Sequence, residues 1–187
     1  AYANAVHRDW ISHWSRWAWA GKHIKKGDRV LEPGCGREAM LARHLRTISA
    51  SVPEIYVGVD LDKITYDKEG RRQGSYPWAV FHHPFNFVTQ QDELSDLYGD
   101  NTFDKIVSFE VYEHITPQLG IEYLDACRRF LAPGGRLLLS TPVFNGKKAA
   151  NHIREYTTDE LRAIIEDRGF KILDRFGTFA SYHDVKK

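Results

Sequence analysis

Two carboxylates set around a pair of glycines carry the first chemistry in the chain. Glu32 opens the stretch Glu32-Pro33-Gly34-Cys35-Gly36, and Asp60 lies in the stretch YVGVDLD that runs from Tyr56 to Asp62. A carboxylate two residues before the first glycine repels phosphate but suits a cation or an ammonium group. Asp60 follows the turn by about twenty residues, a spacing that suits an acid taking ribose hydroxyls. Further on, Glu110, Glu113 and His114 spell E-x-x-E-H, and the stretch NHIREYT brings His152. Positions three and four apart share a face if that turn is helical. Acids and imidazoles so gathered suit proton transfer or the binding of a substrate.

These residues need elements to hold them. Arg29, Val30 and Leu31 read as a short buried strand, followed by the glycine turn and a helical pattern from Arg37 with Leu41, Leu45 and Ile48 on one face. Such a strand-turn-helix brings bare backbone and a helix N-terminus close to a ligand. Gly34, Gly36 and Ala39 also satisfy the loose dinucleotide fingerprint, a weak signal alone. Glu32 argues against a nicotinamide-dependent oxidoreductase. Residues 56–62 form a second strand ending in Asp60, and Asp62 can cap a short helix beginning at Lys63. The basic loop GRRQG, residues 70–74, reads as solvated surface. Strands are expected within residues 78–88, at the start of 101–115, in 136–144 and in 170–180. His82 and His83 alternate across the first of these and so cannot both face one metal. Thr116-Pro117 opens a helix with Tyr123, Leu124, Cys127, Phe130 and Leu131 as its apolar face, stopped by Ala132-Pro133-Gly134-Gly135. Thr157 with Glu160 is a capping-box signature. Residues 4–20 read as a helix whose stripe of Val6, Trp10, Trp14 and Trp17 packs on the sheet or lies as a lid over the ligands.

Strands alternating with helices imply an α/β fold: a doubly wound, mostly parallel Rossmann-like sheet with helices on both faces. No final hairpin strand is evident in ASYHDVKK, so the C-terminal edge is expected to be abbreviated. In such a sheet ligands sit outside the carboxyl ends of the strands. There the glycine turn, the end of the fourth strand at Glu110 and the loop after the fifth converge.

With 187 residues the chain suits a single domain, 1–187, with an aromatic cap over 1–25 and a core over 28–175. The 26 Lys plus Arg against 25 Asp plus Glu give no global field for nucleic acid, though a local patch stays open. Cys35 and Cys127 form no disulfide framework, which fits a reducing cytoplasm. No apolar run approaches a membrane span, and the N-terminus lacks a signal-peptide core. The first residue is not Met, which leaves room for native residues before it. Oligomeric state leaves no mark in the sequence.

An acid, any residue, Gly, any residue, Gly after the first strand, with an acid ending the second, resembles the class I S-adenosylmethionine (SAM) methyltransferases. The resemblance spans roughly residues 28–174. It implies SAM as cofactor, held by Glu32, Gly34, Cys35, Gly36, Asp60, Leu61, Asn86 and Phe109. The family places an acid past the third strand, against the adenine amine; here Asn86 stands nearest and could accept the same bond uncharged. The E-x-x-E-H segment with a later His is similar to ubiquinone-type O-methyltransferases and to small-RNA 3′-terminal 2′-O-methyltransferases. In the latter such a set binds a divalent metal, which implies Glu110, Glu113, His114 and His152 as ligands. Two carboxylates and two imidazoles suit Mg²⁺ or Mn²⁺, with Zn²⁺ or Fe²⁺ as alternatives. Without metal, His114 or His152 would act as catalytic base and Glu110 would touch substrate; a purely structural role in the turn is the third option. The resemblance implies methyl transfer to an oxygen of a small molecule, nitrogen being second choice. The alternatives are an RNA-terminal 2′-O-methyltransferase or an inactive methyltransferase-like binding subunit.

Overall fold

The computed structural model describes residues 10–47, 51–63 and 77–178. Five parallel strands form one sheet in the order β3-β2-β1-β4-β5. They are β1 (Arg29–Pro33), β2 (Ile55–Val59), β3 (Ala79–His82), β4 (Phe103–Phe109) and β5 (Leu131–Ser140). The helices are α1 (Trp10–His23), α2 (Met40–Thr47), α3 (Gln91–Tyr98), α4 (Pro117–Phe130) and α5 (Thr158–Asp167). The expected doubly wound α/β architecture is present.

Alternation along the strands divides the core into two layers. Leu31, Val57 and Ile106 point to a face covered by Leu94 of α3 and by Tyr123, Leu124, Cys127 and Phe130 of α4. Val30, Tyr56, Val107 and Leu138 point to the other, against Ala20 and Ile24 and the α2 residues Leu41 and Leu45. Both faces are covered, as a parallel sheet requires. Two caps anticipated by residue type are formed: Thr116 Oγ1 accepts from Leu119 N, and Thr157 with Glu160 makes a complete capping box.

Three expectations are corrected. The buried side of α1 carries Ser12, Arg16 and Ala20, four residues apart, whereas Trp14 is 54% exposed. Trp17 and Trp19 flank the second layer instead. Ser12 and Ala20 are small enough to let the helix approach α2 and the sheet, Arg16 is buried through its ion pair with Glu110, and the indoles of Trp17 and Trp19 cover the margins. Residues 170–178 form no strand. That stretch mixes Lys171, Asp174, Arg175 and Gly177 among its apolar residues, a poor strand composition. Its Phe176 stacks on Trp19 at 5.5 Å instead of joining the sheet. β5 is therefore the outer strand among the described residues, in line with the abbreviated edge. Third, the helix after the glycine turn begins at Met40, not Arg37, because Ala39 takes a positive φ of 44°. Val6, Ile48, the helix after Asp62 and the GRRQG loop lie outside the described residues.

Candidate cofactor turn and catalytic cluster

The glycine turn is built by β2. Val59 O accepts from Gly34 N (2.8 Å) and Cys35 N (3.3 Å), curling the chain back over the end of its neighbour. Asp60 then closes the turn, Oδ2 accepting from Gly36 N and Oδ1 from Asp62 N, both at 2.8 Å. Gly34 and Gly36 take φ of +78° and +70°. A Cβ on Gly34 would lie 2.4 Å from Val111 Cγ2, whereas one on Gly36 would meet nothing. The turn is thus jammed against the end of β4 on one side and open on the other. That open side is where a ligand can approach backbone N–H groups, with Leu61, 66% exposed, beside Asp60.

Glu32 is 4% exposed, and its carboxyl oxygen accepts a hydrogen bond from the Tyr56 hydroxyl on β2. Burial pushes its carboxyl up to about 8, the Tyr56 bond pulls the other way, and Asp60 adds to the rise. The two side chains form a buried pair beneath the turn. Cys35 is buried and its thiol pushed far up by burial, so it lines the turn as an apolar residue. Asn86 is also differently employed: its Oδ1 accepts from Val88 N (3.0 Å) and Thr89 N (3.2 Å). The amide oxygen is spent on that turn, which leaves the NH₂ as the group free to reach a base. Phe109 lies half-buried at the end of β4, against the second layer.

At the carboxyl end of β4 the chain kinks. Glu110 takes a φ of +58°, and only then does a single 3₁₀ turn run over Tyr112–His114. The kink takes Glu110 off the face that helical spacing implied. Its carboxylate accepts from Ser140 Oγ (2.9 Å) and lies 3.6 Å from the Arg16 guanidinium of α1. Glu113, His114 and His152, in contrast, each offer a ligand atom within 4.8 Å of the others. Three of the four expected metal-site residues are brought together, and Glu110 stands aside from them.

Backbone contacts explain the convergence. Glu113 O accepts from Ile153 N (2.7 Å) and Arg154 N (3.1 Å), and Val143 bridges to Tyr156 in parallel. The segment after β5 is therefore laid directly on the 3₁₀ turn. Glu113 is 1% exposed and takes a hydrogen bond from Thr141 Oγ1 (3.0 Å). Burial lifts its carboxyl to about 7, and the charge on Glu110 adds to the rise. The His114 and His152 rings meet edge to face at 4.9 Å. His152 Nδ1 lies 2.6 Å from Glu155 Oε1, a partner whose role no sequence pattern announced. Beside the cluster opens a cavity of about 440 Å³ lined by Pro117, Phe144, Lys148, Ile153, Arg154, Glu155 and Glu160.

A family model described as a methyltransferase domain matches residues 2–175. The chain belongs to the methyltransferase-domain family. Among curated relatives, a probable S-adenosylmethionine-dependent methyltransferase of Mycolicibacterium smegmatis is 30% identical, over 84% of this chain and 57% of its own. A ubiquinone biosynthesis O-methyltransferase of Dinoroseobacter shibae is also 30% identical, over 81% and 63%. A tRNA U34 carboxymethyltransferase of Pseudomonas fluorescens is 33% identical, over 97% and 54%. The chain thus spans less than two thirds of these relatives.

Among solved structures, a Burkholderia thailandensis 1,6-didemethyltoxoflavin-N1-methyltransferase with bound S-adenosylhomocysteine superposes with TM-score 0.68 at 20% identity, over 90% of this chain and 74% of that one. The small RNA methyltransferase HEN1 gives 0.66 at 17%, over 84% and 21%. At these identities the likeness is one of fold. In this methyltransferase domain the glycine turn, Asp60 and the Glu113–His114–His152 cluster share the carboxyl end of the sheet, with Gly34 against Val111 linking them. Among the described residues no helix is long and apolar enough to cross a membrane.

Proposed function

We propose that this domain binds SAM at the glycine turn and transfers its methyl group to an oxygen of a small-molecule acceptor held beside Glu113, His114 and His152. The observation that carries the reading is their convergence within 4.8 Å beyond the end of β4, two residues from the Val111 that packs on Gly34. A cofactor lying over Gly36 and Asp60 would bring its sulfonium to that edge. Methyl transfer from a sulfonium needs chiefly an in-line nucleophile held close. The 440 Å³ cavity suits a small acceptor. Its wall is part apolar, through Pro117, Phe144 and Ile153. The α1 helix closes the site from one side, with Arg16 at Glu110.

One carboxylate and two imidazoles fit a divalent ion such as Mn²⁺, Fe²⁺ or Zn²⁺, and Mg²⁺ with further oxygen ligands from water or substrate. Glu113, His114 and His152 would hold the ion, which would ease proton loss from the acceptor hydroxyl. Glu110, bonded to Ser140 and facing Arg16, would touch substrate instead. The metal-free reading uses the same residues, with His114 or His152 as base. Activity lost in EDTA and restored by Mg²⁺ or Mn²⁺, with SAM affinity unchanged, is the expected result. Full activity in EDTA with no bound ion sinks the metal and keeps the base.

Calorimetry tests the transferase reading itself: SAM is expected to bind and NAD is not. Binding of neither leaves an inactive methyltransferase-like subunit. RNA as acceptor is a distinct arm, read by methyl transfer to RNA ends; the 26 basic against 25 acidic residues speak for the small molecule.

A further inference from the structure

We infer that Glu155 is a positioning residue that fixes the tautomer and orientation of His152, so that Nε2 is the nitrogen offered to the cluster. The inference rests on His152 being a site group, as proposed above. His152 Nδ1 and Glu155 Oε1 are 2.6 Å apart, and their side chains are 14% and 6% exposed. A carboxylate oxygen accepts, so Nδ1 carries the proton in this contact, and the neutral ring in that tautomer has its lone pair on Nε2.

The carboxylate is itself held. The same Oε1 accepts from Ala149 N at 3.0 Å, and Lys148 Nζ donates to the carbonyls of Ala149 and His152, closing the loop beneath the ring. His114 is arranged in parallel, its Nδ1 lying 3.1 Å from Asn151 O. A carbonyl also only accepts, so His114 too presents Nε2. Two imidazoles anchored through Nδ1–H to acceptors from one short loop, each with a ring nitrogen in the cluster around Glu113, form the arrangement that orients histidine ligands and bases. Glu155 supplies the charged anchor. Its place three residues after His152, in an extended loop, gives it no helical or motif spacing to be recognised by.

The test uses ¹⁵N-histidine protein after EDTA, with His152 assigned by loss of its signals in H152A. Long-range ¹H–¹⁵N spectra at alkaline pH should show His152 as the Nδ1–H tautomer in the wild type. E155A should shift it toward Nε2–H, and E155Q, whose carbonyl still accepts, should keep Nδ1–H. Mn²⁺ titrated into the same proteins should bind about 10–100-fold more weakly to E155A, with smaller loss in E155Q. An Nε2–H tautomer in the wild type, or an E155A that matches it in tautomer and Mn²⁺ affinity, overturns the inference. Wild-type protein that binds no Mn²⁺ yet shows the tautomer shift removes the metal and leaves Glu155 positioning a base. Should E155A not fold, E155L, which fills the space but cannot accept, takes its place and should show the same shift toward Nε2–H.

Discussion

Asp60 does two jobs at once. Both of its oxygens already hold backbone N–H groups of the turn and of its own strand end, so the acid shapes the cradle it is expected to serve. Asp60→Ala should weaken SAM binding by about 1.5–3 kcal/mol, the range for a hydrogen bond to a charged group. Calorimetry checks this, and unchanged affinity in a folded variant removes Asp60 from the site. Gly34→Ala should do more harm, combining a positive φ that costs a side chain about 1–2 kcal/mol with a Cβ driven to 2.4 Å from Val111. Loss of SAM binding together with a lowered urea midpoint is expected. At this scale residue types were legible and partners were not. Glycines at positive φ and an acid after β2 follow from turn chemistry. That Glu32 would face Tyr56, and that the Asn86 oxygen would be used by its own loop, depends on neighbours contributed by other elements.

The hinge between the cofactor and the cluster is the 3₁₀ turn, and α4 makes room for it. Tyr112 is buried with its hydroxyl lacking a hydrogen-bond partner among the described residues, and its ring lies over Gly120 in the first half of α4. A Cβ at position 120 would sit 2.8 Å from that hydroxyl. Ala normally improves a helix interior by about 1 kcal/mol over Gly, whereas overpacking costs about 1–3 kcal/mol. Gly120→Ala should therefore lower stability despite its better propensity. Tyr112→Phe, which removes the colliding oxygen, should recover part of the loss. Urea denaturation of both single variants and the double variant measures the coupling, and strict additivity would refute the contact. Sequence spacing gave the existence of α4 and its caps. It did not give the kink at Glu110, because an i, i+3 pattern carries no mark of one residue turning to positive φ. In residues 170–178 the apolar run was plain, but a run says nothing of whether it pairs with a strand edge or with Trp19.

Across the whole molecule, the buried carboxyls set a pH trend. Glu32, lifted by burial to about 8, keeps its proton in the folded state through a range where the unfolded chain, with an ordinary value of 4.5, has lost it. Its contribution is complete below about pH 4.5 and is lost as pH rises toward 8; Glu113, lifted to about 7, acts in the same sense. The urea midpoint of metal-free protein should fall over that interval, and Glu32→Gln should flatten the fall. An unchanged slope in that variant would show that Glu32 is ionised when folded.

The outer strand has a consequence for isotope exchange. Ser140 O accepts from Glu110 N, so the polar groups of Ser140 turn toward β4, and with them, two residues back, those of Leu138. The amides of Leu137 and Leu139 then point away from the sheet, where no strand pairs with them among the described residues. Deuterium should enter β5 like the teeth of a comb, fast at 137 and 139 and slow at 138 and 140. Any strand laid along this edge, from this chain or another, would erase the alternation.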